Sequence, residues 1–350
     1  MSAKSSNKAE SQARGCFDVM RTLLETVVID RRPADRVLAS LFRRNRKYGA
    51  RDKRVMRSAV FAVFRWWGWG RATVEQDLED GLFCNDGEAG RDDPGCPFAS
   101  ISARACAKLV LGAAVLEQDN GALLNSDMAG ACAQLCEVQM RDLKRLRGIG
   151  DWRSRFAAFL HICGVEEDAG GMDPKELVPS WAFEHVVLAK EQCRRLLEWL
   201  QSRPPLWLRT QRAGPEELVR ELKEYGYEAE PSPCLKGAVK VVNADGRLYN
   251  SRAFKEGMFE IQDAASQVVG HVCGPSPGQR WWDACAGAGG KTLHLGMLMR
   301  NKGTVVATDI RGYKLQDLKR RARRARLSNI TMKAWDGKGV RKKKASFDGV

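Results

Sequence analysis

The chain has 350 residues, 44% of them apolar and 29% charged, which is the balance of a globular protein of two or more domains and excludes a wholly disordered chain. Its longest apolar run, at 109–116, is far shorter than the roughly 18 residues of a membrane span, and the polar start MSAKSSNKAESQARG has no hydrophobic signal core, so a cytoplasmic protein is expected. The formal net charge of +15 is concentrated in a few places: residues 43–57 and 311–326 each hold eight basic residues against one acid, and 341–344 is an unbroken basic run.

Basic runs on an otherwise near-neutral chain call for a polyanion, because neutralising phosphates releases counterions. No strongly apolar face accompanies them, so nucleic acid is favoured over a membrane surface. The candidate phosphate contacts are Arg43, Arg44, Arg46, Lys47, Arg51, Lys53 and Arg54 in the first run, and Lys319, Arg320, Arg321, Arg323 and Arg324 in the second. Eleven cysteines are an odd number, no CxxC occurs, and His161 and Cys163 have no second ligand pair, so neither a disulfide framework nor a metal site is expected. Most of the thiols read as small buried apolar groups.

Taken in chain order, residues 16 to about 165 read as helical. Helices are predicted at 16–29, at 55–67 (Val55, Ala59, Val60, Val63, Phe64 and Trp67 at helical spacing), at 102–116 and at 131–146. The Gly/Asp/Pro-rich stretch 84–97 is a predicted loop, and 164–180 a polar connection between domains. A helix at about 186–201 leads into a small α+β unit with strands at 205–210 and 238–242. Between them, a helix at 215–226 has Pro215 in its first turn and Gly226 past its end. From about 256 strands and helices alternate: strand 280–285, helix 289–300, the nearly continuous apolar strand 304–310, a very basic helix at 312–326, strand 329–334, and the start of a further strand at 347–350. That order predicts a parallel sheet with right-handed crossovers and a ligand at the carboxyl ends of its strands.

The informative segment is DACAGAGGKT, 283–292, which leaves a strand and enters a helix. Glycines here let the backbone turn sharply beside a ligand, and the helix start offers free N–H groups. A P-loop fits Gly290, Lys291 and Thr292, but has Cys285 where its first glycine belongs. A dinucleotide fingerprint starting at Gly287 and Gly289 fails at Thr292. S-adenosyl-L-methionine needs no phosphate cradle, and the acid that would hold its ribose is present as Asp309 at the end of the next strand. Asp336, after the third strand, could meet the adenine edge, with Trp335 able to stack on the ring or simply to pack.

The segments FKEGMFEIQDAASQVV (254–269), PSPGQRWWDACAGAGGKT (275–292) and ATDIRGYKLQDLKRRARRA (307–325) resemble the RsmB/Nop/Sun family of RNA cytosine-C5 methyltransferases. Gly287 and Ala288 replace the family's usual Ala-Pro pair. Residues 37–67 are similar to the NusB-like helical domain of bacterial members, and the unit after 205 to the small domain preceding the catalytic one. The resemblance implies three parts: an all-α NusB-like RNA-binding domain at 10–170, a linker helix with a small α+β domain at 175–255, and the first half of a Rossmann-like methyltransferase domain at 256–350. It also implies S-adenosyl-L-methionine held by Cys285, Ala286, Gly287, Ala288, Gly289, Gly290 and Lys291, with Asp309 on the ribose and Asp336 on the adenine side. Gln262, Asp263 and Ser266 would cap a helix beside this pocket. The implied partner is RNA, ribosomal RNA above all, with a monomer as the expected state.

The family's reaction needs a cysteine thiolate that adds to cytosine C6. By resemblance, one cysteine sits in a DAPC segment after strand four and the nucleophile lies further on. The sequence ends at SFDGV, so the expectation is a fragment without catalytic residues, inactive by that mechanism, with the edge of its first strand exposed. A non-catalytic RNA-binding or ribosome-assembly module is the alternative.

Overall fold

The computed structural model describes residues 3–74, 101–117, 121–165, 172–185, 187–242, 246–336 and 346–350; the loop expected at 84–97 and the basic run at 341–344 lie outside them. The chain divides into two units, Met1–Arg203 and Pro204–Val350. Among the described residues no helix is long and apolar enough to cross a membrane.

The first unit is helical. Helix α1 (Ala3–Leu24) continues into a π-helical turn at Glu25–Ile29, followed by α2 (Ala34–Arg44), α3 (Ala50–Arg65) and the short α4 (Trp67–Gly70). Then come α5 (Ala103–Leu116), α6 (Asp127–Leu135), α7 (Met140–Leu146), α8 (Trp152–Ile162), the short α9 (Trp181–Glu184) and α10 (Lys190–Gln201). Helix α5 is apolar except for Arg104 and Lys108 near its start and is buried along most of its length, which makes it the axis of the core. Ser102 caps it by accepting the Ala105 N–H at 3.1 Å, and Phe156 and Phe159 of α8 press on Gly112. Helix α3 buries Met56, Ala59, Val60, Ala62 and Val63, the stripe its spacing predicts. The expected single helix at 131–146 is two: the chain breaks after Leu135, and Glu137 takes a left-handed conformation (φ 61°). Apolar periodicity continues across this break, so periodicity alone does not reveal it. Cys16, Cys106, Cys132 and Cys136 are buried, whereas Cys234 and Cys285 are exposed.

The second unit holds two sheets. Strands β1 (Leu206–Thr210), β2 (Ala229–Pro231), β3 (Ala238–Val241) and β4 (Phe259–Ile261) form an antiparallel sheet in the order β2-β3-β1-β4. Helix α11 (Pro215–Glu224) lays Leu218 and Leu222 into the same core as Leu208, Val239 and Phe259. The short α12 (Arg252–Lys255) leads into β4. The division expected at 255/256 therefore cuts through this sheet: Phe259 pairs with Thr210 and Ile261 with Leu208. Likewise α10, expected to travel with the small domain, falls in the first unit.

After α13 (Ala264–Cys273) come β5 (Arg280–Asp283), α14 (Gly290–Leu298), β6 (Thr304–Asp309), α15 (Gly312–Arg324) and β7 (Ile330–Ala334). The three strands are parallel, ordered β5-β6-β7. The segment expected to open a fourth strand adds beside β5: Gly349 bridges Trp281 in parallel, and the Trp282 N–H donates to the Gly349 carbonyl at 3.0 Å.

Candidate functional site

Strand β5 ends at Asp283, and the chain turns through Ala284–Gly289 into α14. The turn needs its glycines for two separate reasons. Gly287 (φ 54°) and Gly289 (φ 87°) are left-handed, and a Cβ on Gly289 would run into the Leu318 side chain of α15. Two backbone bonds hold the turn, Ala286 N–H to the Thr308 carbonyl (2.9 Å) and Gly289 N–H to the Ala286 carbonyl (2.8 Å). Buried Thr292 donates its hydroxyl to Asp283 at 2.6 Å, tying the first turn of α14 to the end of β5. Cys285 and Lys291 are exposed on either side of the turn.

Asp309 ends the neighbouring strand β6 and is only 3% exposed. Its Oδ2 accepts the Gly287 N–H (2.8 Å) and Arg311 Nη2 (3.1 Å); its Oδ1 accepts the Arg311 backbone N–H (2.8 Å) and Arg311 Nε (3.0 Å). A carboxylate offers about four lone-pair sites, so this one is saturated by protein donors. The Arg311 guanidinium, ahead of the two backbone N–H groups, holds the Asp309 carboxyl well below the usual carboxylate range, and the pairing raises Arg311 in turn. Asp336 is exposed just past β7, next to Trp335, whose N–H donates to the Asp309 carbonyl at 3.2 Å. The Trp335 ring meets Trp282 edge-on, with centroids 5.9 Å apart.

Helix α13 starts beside this corner. Asp263 caps it by accepting the Ala265 N–H at 2.9 Å, and Gln262 lies close to Gly290. His294 of α14 is fully buried against Gly270 of α13, and burial, then the nearby Arg209 charge, lowers it to about 3, so it stays neutral.

The two basic runs fare differently. On α2, α3 and the turn between them, Arg43, Arg44, Arg46, Lys47, Arg51 and Arg54 are exposed and Lys53 is half-buried. Of these only Arg51 has an ion pair among the described residues, to Asp127 at 3.6 Å. On α15, Lys319, Arg320 and Arg323 are exposed, with Arg320 paired to Asp317. Arg321 and Arg324, expected to contact phosphates, face inward instead. Both bond Glu260 of β4, an acid only 2% exposed, because a buried carboxylate must find cationic partners. Glu260 and its strand neighbour Arg209, 1% exposed, were not singled out from the sequence. The one signal was an acid between the apolar Phe259 and Ile261.

Sequence comparison matches residues 271–350 to the family described as "16S rRNA methyltransferase RsmB/F". The "Probable ribosomal RNA small subunit methyltransferase B" of Bacillus subtilis (strain 168) is 30% identical over 165 residues, 47% of this chain and 36% of that protein. The "Ribosomal RNA small subunit methyltransferase B" of Serratia proteamaculans (strain 568) is 30% identical over 173 residues, 49% of this chain and 40% of that protein. The chain thus spans between a third and two fifths of the length of these relatives. In backbone, it resembles the crystal structure of PH0851 with a TM-score of 0.58, covering 93% of this chain and 69% of that one, at 21% identity, a likeness of fold.

Proposed function

We propose, from the match of residues 271–350 and the 30% identity to the two methyltransferase B relatives, that the chain is of the RsmB/Nop/Sun family and that residues 285–291 and Asp309 bind S-adenosyl-L-methionine for methylation of cytosine C5 in ribosomal RNA. The observation that carries the cofactor reading is the pairing of the Gly287 N–H with the Asp309 carboxylate. A carboxylate seated on the turn repels a triphosphate, which argues against the P-loop alternative. The same carboxylate at the end of a second parallel strand suits a ribose diol, since each hydroxyl can donate to one oxygen.

When bound, S-adenosyl-L-methionine supplies an electrophilic methyl group. The roles proposed for this chain's residues are binding and orientation. The glycine turn lies along the methionine end, the exposed Cys285 and Lys291 flank it, Asp309 takes the ribose, and Asp336 and Trp335 border the adenine side. Cytosine C5 becomes reactive only after a thiolate adds to C6, and none of the described residues is given that role. The helical unit is proposed as a NusB-like RNA-binding module, with Arg43, Arg44, Arg46, Lys47, Arg51, Lys53 and Arg54 on phosphates. A purely RNA-binding protein would use that face equally well, but leaves the saturated Asp309 and its turn without a purpose.

The test is calorimetric binding of S-adenosylhomocysteine to the full chain. Asp309→Ala is expected to weaken it by about 100-fold, as befits two charge-assisted hydrogen bonds. Unchanged binding in that variant, or displacement of the ligand by ATP, overturns the reading.

A further inference from the structure

The small antiparallel sheet reaches the proposed cofactor turn through a chain of ionic contacts. Glu260 of β4 uses both carboxylate oxygens inward. Its Oε2 accepts Arg321 Nε (3.0 Å) and Nη2 (2.9 Å), and its Oε1 accepts Arg324 Nη2 (2.6 Å). The two-pronged pair fixes the plane of the Arg321 guanidinium. Its remaining nitrogen, Nη1, donates to the Ala288 carbonyl at 2.8 Å. Ala288 sits between the two left-handed glycines of the turn.

That one carbonyl matters because of the peptide it belongs to. The Ala288 C=O and the Gly289 N–H are opposite ends of one planar unit, and the N–H end is already bonded to Ala286. Arg321 holds the other end. A turn rich in glycine has more backbone freedom to lose than any other, so pinning this peptide at both ends sets the direction of the amides that follow it into α14. Leu318, one turn earlier on the same face of α15, fills the space under Gly289. Arg324 is a matched neighbour: it pairs with the same Glu260 and lies over the Phe254 ring at 3.9 Å, and its hydrogen bond goes to Glu260 and not to the turn. The small sheet also comes close to the end of α15, because Gly257 faces the Arg324 carbonyl with no room for a side chain.

We propose that Arg321 is a positioning residue for the cofactor turn, held in its working orientation by buried Glu260. The small sheet thereby becomes part of the cofactor site. The inference rests on the reading of 285–291 as that site.

Replacing Glu260 would leave the Arg209, Arg321 and Arg324 guanidinium groups around a neutral side chain and endanger folding, so the arginines are compared instead. A lysine at 321 can reach Glu260 or Ala288 but not grip both, whereas a lysine at 324 keeps its single bond to Glu260. Two measurements on the full-length Arg321→Lys and Arg324→Lys chains decide the matter: amide hydrogen exchange over 286–291 without ligand, and the affinity for S-adenosylhomocysteine. Arg321→Lys is expected to speed exchange at Gly289 and Gly290 at least tenfold and to weaken binding about tenfold. Arg324→Lys is expected to change both by less than twofold. Equal effects of the two variants, or unaltered exchange in Arg321→Lys, overturn the proposal. Should the unmodified chain not bind S-adenosylhomocysteine, the cofactor reading falls, while the exchange comparison still decides whether Arg321 holds the turn.

Discussion

Residues 43–57 and 311–326 carry the same number of basic and acidic side chains, yet the fold puts them to different uses. The first run straddles α2 and α3, whose apolar stripe faces the core and leaves the cations outward, with Arg51 to Asp127 the one ion pair of its phosphate candidates among the described residues. The second lies on a helix whose inner face meets a buried acid. Arg321 and Arg324 are drawn to Glu260, Arg311 is drawn to Asp309, and Lys319 and Arg323 remain outside. A count of charges along a sequence measures how much cation is available. How much is left for a polyanion depends on acids contributed from elsewhere in the chain.

This contrast predicts a crossed result. Replacing Arg321 and Arg324 together by alanine strips Glu260 of its hydrogen-bonded partners and is expected to cost about 3 kcal/mol of stability, as for one side of a buried ion pair. Replacing Arg43, Arg44, Arg46 and Lys47 by alanine is expected to leave stability within about 1 kcal/mol, as for exposed sites. The same quadruple change lowers affinity for single-stranded ribosomal RNA on the order of 100-fold at 0.1 M salt and flattens the log–log salt slope by about 3. Denaturant melts and fluorescence anisotropy across a salt series read both halves. A stable Arg321/Arg324 variant, or an unchanged salt slope in the quadruple variant, breaks the contrast.

What was legible in the sequence follows from the range of the interactions involved. The glycine turn, the strand leading into it and the acid closing the next strand are all set by local pattern, and β5, α14, β6, α15 and β7 appear within a residue or two of where the spacing puts them. Glu260 was not legible because its meaning lies 61 and 64 residues away, at Arg321 and Arg324. No periodicity links such positions. For the same reason the pairing of β4 with β1, whose members are some fifty residues apart, was hidden behind a change in local texture near 256. The break at Leu135 was missed for a different reason, since one left-handed residue, Glu137, ends a helix without disturbing the apolar spacing around it.

The outer side chains of α15 sharpen the contrast further. If Lys319 and Arg323 are the cations this helix has left for RNA, changing both to alanine reduces RNA affinity about tenfold and the salt slope by about 1.5. The thermal midpoint should hold, because both side chains are exposed and neither has an ion pair among the described residues. A fall in stability comparable to that of the Arg321/Arg324 variant would show that the whole helix, and not its inner face, is structural.

The smallest effect expected is also the one with the least intuitive sign. Every lone pair of Asp309 is taken by Gly287 or Arg311, so a ribose diol must displace the Arg311 side chain, which is 47% exposed and free to swing outward. Removing a cation beside a binding carboxylate ordinarily weakens a site. Here, Arg311→Ala is expected to tighten S-adenosylhomocysteine binding by roughly threefold, the gain from no longer breaking a partly screened ion pair. The pH dependence separates this from a general loosening. In the native chain the carboxyl is held below its ordinary value, so it stays ionised and affinity is flat from about pH 8 to pH 5. Without Arg311 its main stabilising partner is gone and the carboxyl moves back up toward the ordinary carboxylate range, so affinity begins to fall at a higher pH than in the native chain as the diol's acceptor becomes protonated. Weaker binding at neutral pH, or an acid limb that does not move, would mean that Arg311 belongs to the ribose seat rather than standing in for the ribose.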